Sequence, residues 1–340
     1  MKTLKIIKIL PFYLFFVIIC FCQSCNEPSI PSSSGSASEI LVVIPKNYKN
    51  SICLSQIKNC FEQEQQGLPQ QEKTFNVISI DKSLFNKKMF QTHRNIFIAN
   101  IKDSIDKPII SIKKNIWSRP QIVVEISAPD DSSFCKLLRA KQDIIIDYYK
   151  EIERSRIIKA YKQYEDKKLE NKLEKSFHLS LVIPNGFYIA KQTDNFAWIR
   201  KETTDISQDI IIYFYDYTDT IAFDNKKIIT IRDSITKLYI PGPTDGSYMT
   251  TYKDMFPVSK RISFNNNFAV ETRGLWKVEN DFMGGPFVNY TFVNKKQNKV
   301  ITLDGFVYAP KFDKKKYLLQ LEAILYSFKF TETNSLQASE

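Results

Sequence analysis

Apolar and polar residues follow two different rhythms along this chain, and the change of rhythm divides it. Glu39-Ile40-Leu41-Val42-Val43-Ile44-Pro45 is a continuous apolar run closed by proline, the pattern of a buried strand. From Asn50-Ser51 to about Glu64 the spacing turns helical, with Ile52, Ile57, Cys60 and Phe61 on the inward stripe. Leu68-Pro69-Gln70 breaks the chain. Strands are predicted again at Phe75–Ile80, Asn95–Ile101, Ile109–Ile112 and Gln121–Ile126, and Asp81 caps a short helix reaching Phe90. Residues 39–128 therefore read as a βαβαβ half with an at least partly parallel sheet.

Pro129-Asp130-Asp131-Ser132 opens a helical stretch that runs to about Phe177, with acids in its first turn. Ile145, Tyr149 and Ile152 form one apolar stripe, and Leu169, Leu173 and Phe177 another. Its centre is polar, so residues 129–178 are expected to project from the body or bridge two halves. A second half, 179–330, starts at Leu179–Pro184 with a turn at Asn185-Gly186. Strands are predicted at Phe187–Ala190, Ala197–Glu202, Asp209–Tyr217, Lys260–Phe264, Phe268–Gly274, Phe287–Val293 and Val300–Tyr308, with Asn298 in the last hairpin turn. Helices are predicted over Ile228–Leu238 and Lys314–Phe328. The expected class is mixed α/β and α+β: a βαβαβ half, a long connecting helix, then a largely antiparallel sheet with a terminal helix. Residues 331–340 read as a disordered tail.

The N-terminus follows neither rhythm. Lys2, Lys5 and Lys8 precede an apolar run from Ile9 to Phe21, and small Ser24 stands before Cys25, the layout of a secretory signal over residues 1–24. The run stops well short of the ~20 residues of a spanning helix. A cysteine directly after the cut resembles the lipobox of bacterial lipoproteins, in the looser pattern of Bacteroidetes, where it takes the acyl lipid (palmitate, for example). Cys20 and Cys22 each follow a bulky residue that such cleavage disfavours. Residues 25–38, rich in Ser and Pro, read as a flexible tether reaching at most about 45 Å. Asn26 after the cysteine implies, by that likeness, the outer membrane, with the body facing the periplasm.

Hydrophobic content of 43% and aromatic content of 13% describe a globular body. Net charge is +11, falling to about +8 without the leader, and the lysines are dispersed. Behind a leader this argues against nucleic acid and leaves a membrane surface, an envelope protein or an anionic glycan or lipid as partners, unless the lysines are simply solvated. Beyond the leader and Cys25 there are three cysteines, Cys53, Cys60 and Cys135, an odd number that argues against a disulfide framework. Cys53 and Cys60 stand about 10 Å apart along a helix, too far to bridge. Whether Cys135 pairs with either stays open at this point.

Catalytic raw material is scarce. His93 and His178 sit in no ligand spacing, and a continuous helix would hold Cys135 and His178 about 64 Å apart. There is no nucleophile elbow, phosphate loop or dinucleotide fingerprint, and nine glycines leave little room for one. Asp216, Asp219 and Asp224 lack the glycine-bearing loop that calcium needs and read as caps. No metal, cofactor or catalytic residue is expected.

Two Gly/Pro loops with aromatic company remain. One comprises Pro241, Gly242, Gly246, Tyr248 and Met249. The other is Gly284, Gly285, Pro286 and Phe287, preceded by Arg273 and Trp276. Paired glycines admit close backbone approach, and Trp, Tyr, Phe and Arg are common recognition anchors, so these residues are the candidate binding surface. They can equally be structural turns around a local hydrophobic cluster.

Leu181-Val182-Ile183-Pro184-Asn185-Gly186-Phe187 and Leu321-Glu322-Ala323-Ile324-Leu325-Tyr326-Ser327-Phe328 resemble the antiparallel, helix-backed sheet of the PsbP-like superfamily, whose members are mostly binding and assembly factors. Leu68-Pro69-Gln70, His93-Arg94-Asn95, the two Gly/Pro loops and Gly305-Phe306-Val307-Tyr308-Ala309-Pro310 together resemble an uncharacterised family of Bacteroidetes lipoproteins known only by a domain of unknown function. The expectation is a lipid-anchored envelope protein that binds or assembles rather than catalyses. An enzyme or carrier acting on an envelope glycan or lipid is the alternative.

Overall fold

The computed structural model describes residues 30–48 and 51–331, so the signal segment, Cys25 and residues 332–340 of the expected tail lie outside the described residues. Strands β1 (Glu39–Ile44), β2 (Asn76–Asp81), β3 (Asn95–Ile101), β4 (Ile109–Lys114) and β5 (Ile122–Ala128) form one sheet in the order β2-β1-β3-β5-β4. Its pairings are parallel except for the edge strand β4, which runs antiparallel to β5. β1, β3 and β5 are covered on both faces, which is why their sequences are nearly unbroken apolar runs. Helices α1 (Ile52–Phe61) and α3 (Asp131–Tyr161) cover one face, where Phe61, Phe97, Phe134 and Tyr149 meet edge to face. Phe85, Phe90 and Trp117, carried by short turns and the one-turn helix α2 (Lys88–Gln91), cover the other. Within α1 the inward stripe is Cys53, Leu54, Ile57, Cys60 and Phe61; Ile52, expected inside, is 70% exposed because it lies outside that stripe.

The expected single helical stretch is two helices, α3 (Asp131–Tyr161) and α4 (Lys167–Phe177). Asp130 caps the first by accepting from the Ser133 amide at 2.8 Å. Asp166 starts the second by accepting from the Lys168 and Leu169 amides, both at 3.0 Å, while its own amide is turned to the Ile183 carbonyl. That cap in mid-pattern is what divides the helix. Its polar centre faces inward: Glu153 and Arg156 are buried on Asn95, and Arg156 donates to the Arg94 carbonyl at 2.8 Å. Arg154 lies 3.9 Å over the Tyr326 ring, so α3 does bridge the two halves.

The second half holds a large antiparallel sheet in the order β10-β12-β13-β14-β9-β8-β7, with β11 also on the β12 edge. Its strands are β7 (Tyr188–Thr193), β8 (Phe196–Glu202), β9 (Ser207–Asp216), β10 (Tyr248–Thr251), β11 (Val258–Phe264), β12 (Asn267–Glu279), β13 (Gly284–Asn294) and β14 (Lys299–Tyr308). A short pair, β6 (Leu179–Ser180) with β15 (Lys329–Phe330), closes the ends of α4 and of α6 (Lys315–Tyr326). On one sheet face α4 and α6 cover Ile210, Ile212, Tyr290 and Leu303; on the other, α5 (Asn225–Tyr239) covers Ile211, Tyr213 and Phe287. The expected mixed α+β class is the class observed.

The halves are joined by side chains as well as by α3. Leu68, in the segment after α1, is buried in the second half's core. The Glu72 carboxylate accepts from the Lys314 and Lys315 amides at 2.8 and 3.0 Å, capping α6 from the other half. Among the described residues no helix is long and apolar enough to cross a membrane.

Candidate functional site

Helix α5 presents two chemically opposite stripes. Ile228, Ile229, Arg232 and Thr236 face the sheet and are buried. Lys226, Thr230, Ser234 and Lys237 recur at helical spacing on the outer side and are exposed. The chain then turns through Pro241–Ser247 and returns as β10. Gly242 donates its amide to the Ser247 carbonyl at 2.9 Å, a contact so close that a Cβ there would overlap Ser247 and Val278. Strand alternation buries Met249 and Thr251 and leaves Tyr248 and Thr250 half-buried beside the helix. Helix and strand are fastened twice: Thr236 Oγ1 donates to the Met249 carbonyl at 2.9 Å, and the Thr251 amide donates to Asp233 at 2.8 Å.

Between them, and bounded by the loop after β10, lies an open groove of about 550 Å³. Lys226, Lys237 and Lys253 supply three ammonium groups, Tyr248 and Phe256 two rings, and Thr230, Ser234 and Thr250 hydroxyls. Asp233 supplies the lining's single carboxylate, which is already held by the Thr251 amide and by Lys253 at 3.4 Å. Lys237 Nζ sits 4.6 Å over the Tyr248 ring. The volume is that of a small-ligand site. Its charge, donors and ring faces suit an anionic group carried on a ring or chain.

Of the candidate binding residues, Tyr248 lines this groove, while Pro241, Gly242 and Gly246 form the turn leading into β10. The others do not form a surface, which corrects the expectation for them. Met249, Trp276 and Phe287 are 2%, 3% and 0% exposed, and Pro286 and Gly285 are buried. The expected Gly284–Phe287 loop is instead the start of β13, with Gly284 and Gly285 paired to Lys277 and Trp276. A Cβ on Gly285 would overlap the Val307 carbonyl oxygen and lie 3.2 Å from Trp276 Nε1, so this glycine admits a neighbouring strand and a ring, not a ligand. Arg273 is enclosed by Glu271 at 2.9 Å and Glu322 at 2.8 Å. Burial opposes charge there, but Arg273 and Lys260 hold the Glu271 carboxyl well below the usual range.

Other titratable candidates are structural. His93 Nδ1 bonds the Asn95 carbonyl and Nε2 the Glu39 carboxylate, at 2.8 and 2.9 Å. His178 ends α4 in a left-handed conformation, φ 54°, whereas Cys135 lies against Cys53 in the first half's core. Asp219 caps a turn through the Ile221 amide, and Asp216 pairs with Lys299 at 2.6 Å. Asp209 was not singled out by its sequence. Burial pushes its carboxyl up to about 6, against the opposing pull of Arg200 and the donors Ser207 and Trp198. A second cavity, about 20 Å³ between the halves, is lined by Glu153 and Glu322; it has room for a water but not for a sugar.

Two family models match the chain: "Domain of unknown function (DUF8532)" over residues 33–162 and "Domain of unknown function (DUF4837)" over residues 166–327. The matches meet at the break between α3 and α4. The expected membership of an uncharacterised family agrees with both. No curated protein matches. Similar solved structures include the Ran-binding protein Mog1p of Saccharomyces cerevisiae, 10% identical with a TM-score of 0.31, spanning 46% of this chain and 91% of that one. LpqN of Mycobacterium tuberculosis, "involved in cell envelope biogenesis", is 15% identical with a TM-score of 0.28, spanning 45% and 83%. Human StAR-related lipid transfer protein 5 is 10% identical with a TM-score of 0.23, spanning 51% and 94%. Likeness at this level carries no functional argument.

Proposed function

We propose that the chain is a non-enzymatic binding factor of the cell envelope, lipid-anchored to the outer membrane through Cys25 and facing the periplasm, whose α5–β10 groove holds an anionic glycan or lipid headgroup. One observation carries the ligand class: three lysines and two aromatic rings converge on a groove whose lone carboxylate is already occupied. Lysines pair with phosphate or carboxylate, rings stack on sugars or acyl chains, and hydroxyls complete the hydrogen bonding. An exposed ion pair contributes at most about 1 kcal/mol, so binding rests on several lysines together and weakens with salt. Glycosidase chemistry would need two carboxyl groups flanking the substrate, and this groove carries one. The anchor is supported by the leader and the placement of Ser24 before Cys25.

The test compares the parent protein with the triple variant Lys226→Ala, Lys237→Ala, Lys253→Ala against two probes: vesicles containing phosphatidylglycerol and a soluble acidic oligosaccharide. The expected result is saltable binding to one probe, weakened at least tenfold in a triple variant that melts like the parent. Equal binding by the folded variant, or no binding by the parent, overturns the ligand class. Separately, Cys25→Ala is expected to release a folded body from the membrane fraction. Unchanged fractionation with unchanged acyl content overturns the anchor.

A further inference from the structure

Cys53 lies in the first turn of α1 and Cys135 near the start of α3, and the packing of those two helices sets the sulfur atoms 3.5 Å apart in the first half's core. Both residues are buried, 0% and 3% exposed, and both are free thiols. Cys60, on the same helix as Cys53, is equally buried, and no sulfur contact joins it to the other two. A disulfide brings its sulfurs to about 2 Å, so the pair stands roughly 1.5 Å short of a bond.

We propose that Cys53 and Cys135 are a disulfide-forming pair, closed by exchange with a disulfide-class oxidant and stapling the start of α1 to the start of α3. In the first step a thiolate of the pair attacks the oxidant's S–S bond, forming a mixed disulfide and expelling one thiolate, which takes up the proton. In the second step the other cysteine, deprotonated, attacks its partner's sulfur in that mixed disulfide and expels the second thiol. Two S–H bonds and the oxidant's S–S bond are lost. One protein S–S bond and two oxidant thiols are gained. The protein is oxidised by two electrons and the oxidant reduced by two.

The fold supplies both a barrier and a way in. Burial, with Cys135 and Asp131 adding, pushes the Cys53 thiol up to about 12, and burial pushes Cys60 up to about 12 as well. Closed protein is therefore slow to react. Cys53 nevertheless lies in the first turn of α1, where Ser51 makes no side-chain capping bond and neighbouring Ile52 is exposed. Fraying of that turn exposes Cys53 while Cys60 stays inside. Closing then restrains a long loop of the unfolded chain, so the oxidised form is the more stable one.

The experiment incubates the reduced full chain with oxidised glutathione, quenches with iodoacetamide, and maps the cysteine peptides by mass, scoring Cys20, Cys22 and Cys25 separately. The expected product links the Cys53 and Cys135 peptides, two hydrogens lighter than the reduced pair, with Cys60 alkylated after denaturation. The expected Tm rise is about 5–10 °C, reversed by dithiothreitol. Cys53→Ser and Cys135→Ser abolish both effects, and Cys60→Ser retains them. A Cys53–Cys60 or Cys60–Cys135 link, or stable mixed disulfides with no internal link, overturns the proposal. The peptide map of the unsubstituted chain decides this even where a serine variant does not fold.

Discussion

Arg232 and Lys237 stand little more than one turn apart on α5, yet one is sealed from water and the other borders the groove. Arg232 is fully buried, bonded to Asp304 at 2.8 Å and stacked 3.8 Å over the Phe287 ring. Asn289 donates to the same carboxylate at 3.0 Å. Lys237 is exposed beside Tyr248. The buried charge has spent its electrostatics on holding the helix to the sheet, whereas the exposed one keeps its hydration and remains available to a ligand. The same contrast separates the two Gly/Pro segments: one turns at the surface, and the other is absorbed into β13.

The largest expected break in this comparison is Arg232→Met, which leaves Asp304 buried without its cation. A loss of about 3–5 kcal/mol is expected in denaturant titration. A loss below about 1 kcal/mol would show that the buried pair does not hold α5. Phe287→Ala removes the ring beneath Arg232 and is expected to cost about 3–5 kcal/mol as a core cavity; a ring that served recognition would instead leave stability nearly unchanged.

Asp209 sharpens the comparison through pH. Its folded pKa of about 6 lies above the unfolded value of about 3.9, so the native state binds the proton more tightly. Its stabilising contribution is complete below about pH 4 and is lost as pH rises through about 6, a span worth about 3 kcal/mol. Relative to Asp209→Asn, the parent should lose stability across that window. A constant difference between the two at all pH values would place the ionisation elsewhere. The smallest stability effect belongs to Lys226→Glu with Lys237→Glu, expected to change unfolding by no more than about 0.5 kcal/mol. If that pair of changes unfolds the protein, the outer stripe of α5 is structural and the contrast with Arg232 disappears.

The groove was partly readable in advance. Lys226, Thr230, Ser234 and Lys237 mark one side of a helix whose existence the Ile228–Leu238 pattern already indicated. Lys253 and Phe256 carried no such signal, because their place beside α5 depends on β10 pairing with β12. The misreading of Gly284–Phe287 has a definite cause: Gly-Gly-Pro is turn chemistry locally, but here it lets a strand pass beneath Trp276. Likewise, Asp166 is a cap in the midst of a helical pattern, and only the Asp166–Ile183 backbone bond decides that the chain turns there.

Local periodicity by itself determined the strands of the first half, the helices α5 and α6, the main hairpins of the second sheet and the mixed α+β class. Those features follow from which residues can bury apolar surface at a spacing of two or 3.6. Tertiary structure alone decided which charges are enclosed, which glycines meet a backbone, and that Cys53 meets Cys135 rather than Cys60. Each of these depends on contacts between residues distant in sequence, and a periodic pattern encodes which face is inward without naming what lies opposite it.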